Sequence, residues 1–184
     1  MRGEDSYRQY LGGDDEGLAE IVSEYKDGLI LFLRGFVSDI TTAEDLAEDT
    51  FFRLMIKKPR FSGHSSFRSW LYAIGRNVAV DYVRHHSKEI AIPSDEIEIQ
   101  AGYAEVFEAA YIKEEQQRIV YKTLESLIPD YRQIIMLVYF EGMTNAEAAA
   151  VMRKSERQIR NLLYRAKQSL KKELEKEGFI YEEF

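Results

Sequence analysis

Residues 144–167 read TNAEAAAVMRKSERQIRNLLYRAK, and this stretch decides the fold. Thr144 with Glu147, and Ser155 with Gln158, form two capping boxes eleven residues apart. The helix between them has room for only about two turns before a second one starts. A short helix, a tight turn and a longer basic helix make a helix-turn-helix. Ala148, Ala149 and Met152 face inward from the first helix; Ile159, Leu162, Leu163 and Ala166 face inward from the second. A small residue at Ala149 allows close approach. Arg153 stands in the turn, where such motifs usually carry Gly, so the backbone there must avoid the left-handed region or tolerate strain.

The outward face of the second helix presents Arg157, Arg160, Asn161, Tyr164, Arg165 and Lys167. Arg and Asn can make bidentate contacts to guanine and adenine edges in a major groove, while Lys and the remaining Arg meet phosphates. A helical hairpin in an ordinary bundle would show the same capping boxes. Residues 151–172, however, carry eight bases against Glu156, net +7, and that density on one helix favours DNA.

Charge is blocked along the whole chain. Residues 1–50 hold 13 acids and 4 bases; residues 57–88 hold seven bases against Asp81; residues 89–115 hold eight acids and one base. Two basic surfaces separated by acidic ones suit two phosphate contacts in a protein that must not bind every nucleic acid, although solvated helix faces would give a similar record. The chain has 184 residues, no Cys and a net charge of −7. That length fits one domain or two small ones. The lack of Cys excludes disulfide scaffolds, thiol nucleophiles and zinc fingers. The longest apolar run, residues 134–140, is far short of the ~20 residues that span a bilayer. These features predict a soluble, cytoplasmic protein.

Nearly everything reads as helix, and all three prolines, Pro59, Pro93 and Pro129, fall at boundaries. From Asp14 or Asp15, apolar residues recur at helical spacing through Phe36. Thr41 with Glu44 reads as a capping box opening a helix that stops before Pro59. Residues 62–66 are a loop by composition, followed by a helix with Phe67, Leu71, Ile74 and Val78 on one side. Residues 88–103 read as an extended acidic linker. Beyond it come a helix over about 104–127 and another from Pro129 to Phe140, stopped by Gly142. The expected architecture is all-α, with two small helical domains over 1–87 and 104–184.

At this point the residues resemble a family. Residues 130–149, DYRQIIMLVYFEGMTNAEAA, followed by 159–167, IRNLLYRAK, resemble the C-terminal promoter-binding domain of bacterial RNA polymerase sigma factors. Residues 42–53, TAEDLAEDTFFR, resemble the helix by which sigma factors grip core polymerase. Residues 67–84, FRSWLYAIGRNVAVDYVR, resemble their −10-reading helix. A chain holding only these two domains is similar to the extracytoplasmic-function group. The resemblance covers about residues 15–175.

It implies a sigma initiation factor, with no catalytic residue, metal or cofactor, that reads −35 DNA through residues 157–167. Asp45, Glu48 and Asp49 share one helix face at i, i+3, i+4. On the residues alone they are a solvated acidic face. The resemblance gives them a basic helical hairpin on the polymerase clamp, with Phe51, Leu54 or Met55 adding apolar contact; family members commonly have Gln where this chain has Glu48. Ser62, Gly63, His64, Ser65 and Ser66, with Arg76, Asn77, Asp81 and Arg84, match the −10 region. A small-residue loop can wrap a flipped base, Asn77 can read its edge, and Arg76, Arg84 and Lys88 can hold the strand. His64, His85 and His86 read as surface histidines, and Trp70 and Tyr72 as packing. The acidic linker fits either a nucleic-acid mimic in a polymerase channel or a flexible tether. The aromatics of 178–184 fit either a docking tail or a frayed end.

The implied partners are core RNA polymerase, through the clamp helices of its β′ subunit and through the β flap, promoter DNA, and an anti-sigma factor that is membrane-anchored in some members. Direct membrane insertion is not expected. The alternatives are a stand-alone helix-turn-helix regulator, which usually dimerises on palindromic sites, a sigma-mimicking inhibitor, and a metal-dependent hydrolase using residues 44–49. The last lacks a convergent second ligand set.

Overall fold

The computed structural model describes residues 3–37, 39–89 and 115–176, the side chains at 87–89 and 115–119 excepted. The predicted linker over 88–103, the start of the helix expected from 104, the Lys88 side chain and the tail from 177 therefore lie essentially outside the described residues. Every regular element among those described is helical: α1 (Gly3–Leu11), α2 (Glu16–Leu33), α3 (Ile40–Lys57), α4 (Phe67–Glu89), α5 (Glu115–Glu125), α6 (Pro129–Ile135), a π turn (Met136–Phe140), α7 (Asn145–Met152) and α8 (Glu156–Lys176).

In the first half, α1 was not expected. It is short and polar, and its stability comes from tertiary contact, as is usual for a helix of this length. Ser6, Tyr7 and Tyr10 are buried. The Tyr7 hydroxyl donates to the Pro59 carbonyl at 2.7 Å, and the Tyr10 hydroxyl to the Met55 carbonyl at 3.0 Å. Tyr7, Phe61, Phe67 and Trp70 pack ring against ring with centroids 5.2–5.6 Å apart. Helix α2 opens where the Asp14 carboxylate accepts the Glu16 amide at 3.0 Å. It closes at Leu33 with Phe36 turned back into the core.

The start of α3 differs from the predicted capping box. Asp39, in extended conformation, caps the helix by accepting the Thr42 amide at 2.8 Å. A carboxylate at the positive helix end competes well with a hydroxyl, and this leaves Thr41 inside the first turn. The helix ends at Lys58, φ +40°, immediately before Pro59. A following proline disfavours the right-handed helical region there, and the left-handed turn releases the chain. Ser66 then caps α4, its hydroxyl accepting the Ser69 amide at 3.3 Å.

In the second half both predicted capping boxes form. Thr144 accepts the Glu147 amide at 3.2 Å while the Glu147 carboxylate accepts the Thr144 amide at 2.9 Å. Ser155 and Gln158 do the same at 3.2 and 2.7 Å. Helix α6 does not run regularly to Phe140. It widens into the π turn, with the Glu141 amide bonded to the Met136 carbonyl at 3.0 Å, and Gly142 at φ +64° turns the chain toward α7.

The two halves pack on one another. Arg34, 6% exposed, pairs with Glu125 across the seam. The Arg132 guanidinium donates to the carbonyls of Leu124 and Glu125 in its own half and to that of Arg34 in the other at 3.2 Å. Buried Gln133 donates to the Gly35 carbonyl at 3.2 Å, and a Cβ at Gly35 would lie 2.7 Å from the Gln133 Cγ, so only glycine permits this approach. At the other end of the seam Arg68 donates to the Glu141 carbonyl at 2.7 Å.

Candidate nucleic-acid and polymerase interfaces

Helix α8 buries Ile159 and Ala166 against its neighbours, and this fixes which way its other face points. Arg157, Arg160, Asn161, Tyr164, Arg165 and Lys167 are all exposed, Tyr164 at 67%. Only weak local contacts hold them: Arg160 is 3.7 Å from Glu156, and the Lys167 ammonium lies 6.0 Å from the Tyr139 ring centre. This face is therefore available to a ligand. The turn that presents it contains Arg153 at φ +54°, so the chain does adopt the left-handed conformation that glycine would take more easily. Such a residue costs of order 1 kcal/mol.

The second basic face, on α4 and the loop before it, is less free. Residues 62–66 are exposed, and Gly63 turns at φ +74°. Arg84 is exposed, whereas Arg76, Asn77 and Asp81 are half-buried. Asp81 lies 3.7 Å from Arg53 of α3. The Asn77 side-chain carbonyl accepts a hydrogen bond from Arg153 at 2.7 Å. Burial, with Arg153 nearby, holds the Arg76 guanidinium below its ordinary pKa. Sequence reasoning placed Asn77 and Arg153 in separate units. Nothing in their local sequence signals that they meet. His64, His85 and His86 are exposed, His86 stacked on Tyr82 with ring centres 4.0 Å apart.

On α3, Asp45, Glu48 and Asp49 are exposed and form one acidic face. Beside it runs a groove of about 240 Å³ lined by Leu18, Val22, Ala47, Phe51 and Met55, with Glu48 and Lys26 at its edge. Phe51 is largely buried at 8% exposed, and Met55 is 39% exposed. Phe52 and Ile56, 56% and 63% exposed, were missed by the sequence reading. Their signal was present: two large apolar residues at i, i+4, off the buried stripe of Ala47, Phe51 and Leu54. Among the described residues no helix is long and apolar enough to cross a membrane.

Comparison with known proteins agrees with this arrangement. The family pattern of sigma-70 region 2 matches residues 21–89, and that of sigma-70 region 4 matches residues 117–170. The ECF RNA polymerase sigma factor SigM of Bacillus subtilis (strain 168) is 32% identical over 152 residues, covering 83% of this chain and 91% of that protein. SigW of the same organism, another ECF sigma factor, is 22% identical over 175 residues, covering 91% of this chain and 94% of its own. Among solved structures, the sigma factor RpoE from Bartonella quintana, in complex with the anti-sigma factor NepR, superposes with a TM-score of 0.68 at 23% identity. The match covers 85% of this chain and 96% of that one. The chain belongs to the sigma-70 family of RNA polymerase sigma factors, in its ECF group. Proteins of this family are transcription initiation factors rather than enzymes, and no catalytic family is indicated here.

Proposed function

We propose that the protein binds core RNA polymerase and directs it to promoters by two separate readings of DNA. The exposed face of α8 reads duplex −35 DNA, with Arg157, Arg160, Asn161 and Arg165 at base edges or phosphates and Lys167 and Tyr164 flanking them. Loop 62–66 with Arg76, Asn77 and Arg84 captures the melted non-template −10 strand; Asp81 orients Arg53 beside it. Melting exposes a base whose extrusion costs a few kcal/mol, and a pocket with an edge-reading amide returns that energy only for the matching base.

The acidic face of Asp45, Glu48 and Asp49, beside the groove of Phe51 and Met55, takes the basic clamp helices of the polymerase β′ subunit, and the second unit takes the β flap. The division at 1–87, 88–103 and 104–184 belongs to the same proposal. So does an anti-sigma partner, supported by the similarity to a sigma factor solved with one. The single observation that carries the reading is the separation of an exposed basic α8 from an exposed acidic, apolar-edged α3 in a chain matched by both sigma regions. The test is reconstitution with core polymerase free of other sigma factors on a library of promoter-like DNA. Transcript starts sharing two spaced motifs are expected. Tight duplex binding with no polymerase binding would instead identify a stand-alone regulator.

A further inference from the structure

Asn77 and Arg153 sit in different units, yet the Arg153 guanidinium occupies the Asn77 side-chain carbonyl at 2.7 Å. Arg153 reaches it from a backbone at φ +54°, a conformation that glycine adopts without penalty. A strained arginine in a turn calls for a reason, and this contact supplies one. The contact is not isolated. Helix α7 packs along α4, Arg34 pairs with Glu125, Arg132 donates to the Arg34 carbonyl, Gln133 donates to the Gly35 carbonyl, and Arg68 donates to the Glu141 carbonyl. The polymerase-directed face of α3 and the outer face of α8 stay uncovered throughout.

We propose that the free chain is self-latched: the seam between the two units places Arg153 on the acceptor with which Asn77 would read a −10 base, so closure and strand capture exclude each other. This rests on the assignment of Asn77 made above. Geometry adds a second requirement for opening. The −35 and −10 elements lie about 25 base pairs apart, roughly 85 Å of duplex, and units held at hydrogen-bonding distance cannot reach both. The 25 residues between Glu89 and Glu115 span at most roughly 85 Å when fully extended, so the chain length permits the separation. The polymerase-binding face is free in the closed state, so polymerase can engage first and draw the units apart.

The chain has no Cys, so Ser23→Cys and Gln168→Cys, both at exposed positions outside the seam, give a doubly labelled full-length protein for energy-transfer measurements. Wild type is expected to show one high-transfer population. Arg153→Gly removes one hydrogen bond while relieving the left-handed backbone. It should raise the open fraction about fivefold without lowering the thermal transition. Arg34→Met leaves Glu125 unpaired in the seam and should open the chain further. Wild-type transfer in both variants would overturn the latch. Binding of a fluorescent, sequence-randomised single-stranded DNA is the second readout. Arg153→Gly should bind it more tightly than wild type, although the lost positive charge acts in the opposite direction. Adding Asn77→Ala should cancel the gain. An opened chain that shows no gain, while Asn77→Ala still weakens binding, would overturn the masking and leave the reading of Asn77 intact. No effect of Asn77→Ala in any background would remove that reading, and the latch's purpose with it.

Discussion

Helices α4 and α8 each carry a row of basic and amide side chains assigned to DNA, yet the two rows are held differently. On α8 the six assigned residues are exposed, and their strongest partners are local. On α4 the comparable residues are half-buried: Asn77 is bonded to Arg153, and Asp81 pairs with Arg53. The difference teaches that exposure alone identifies the first surface and would have missed the second. A DNA-reading row can be set in a packed seam when its ligand arrives only after the protein has changed partners.

Four changes break or sharpen that contrast. Leu71, fully buried beneath α4, should cost about 2–5 kcal/mol when changed to Ala, because the void left in a packed core does not refill. Chemical unfolding should show the loss in the first half, with the isolated reading of duplex by α8 retained. Arg160→Ala should weaken −35 duplex binding by about 1–3 kcal/mol and leave polymerase assembly unchanged, as measured by fluorescence anisotropy and by holoenzyme gel filtration. Equal loss of both would remove the distinction between the two rows. Thr144→Ala deletes one half of a capping box and should lower the stability of the second half by about 1 kcal/mol in a urea titration.

The smallest effect concerns Glu141, which sits in the seam beside Arg68 and Tyr72. Burial holds its carboxyl above the usual carboxylate range, against the pull of Tyr72 and Arg68. A raised pKa means that the closed state prefers the protonated acid. The penalty for closure is therefore fully present above that raised value and fades as pH falls toward the ordinary one, 4.5. Other seam acids, Glu125 among them, respond in the opposite sense, so the informative quantity is a difference. Glu141→Gln should close more readily than wild type at neutral pH, with the gap narrowing on acidification in the energy-transfer assay. A gap independent of pH would exclude Glu141 as its source.

What was legible in the sequence follows from range. The helix-turn-helix was fully readable, because the Thr144 and Ser155 boxes operate over three residues and the inward apolar set over two helices. The acidic face of α3 was readable for the same reason. Helix α1 was not, since its burial depends on Tyr7 and Tyr10 reaching carbonyls 45 and 52 residues away. The seam was invisible because Arg34 with Glu125, and Asn77 with Arg153, are paired across 91 and 76 residues, and no local pattern announces such partners. The cap of α3 failed for a smaller reason: two good capping residues lay within three positions, and the charged one won. The π turn had no sequence signal at all beyond Gly142.

The tyrosines of α1 have a bearing on where this protein can be cut. The region 2 pattern begins at residue 21, yet the carbonyls at Met55 and Pro59, where α3 gives way to the −10 loop, are bonded from Tyr10 and Tyr7. Gly3 is pressed so closely against Tyr25 and Phe67 that a Cβ there would lie 2.5–2.6 Å from their side chains. A fragment trimmed to the family boundary would keep every assigned contact residue and lose the struts that hold the loop. The smallest autonomous unit of this protein therefore starts well before its recognisable motif does.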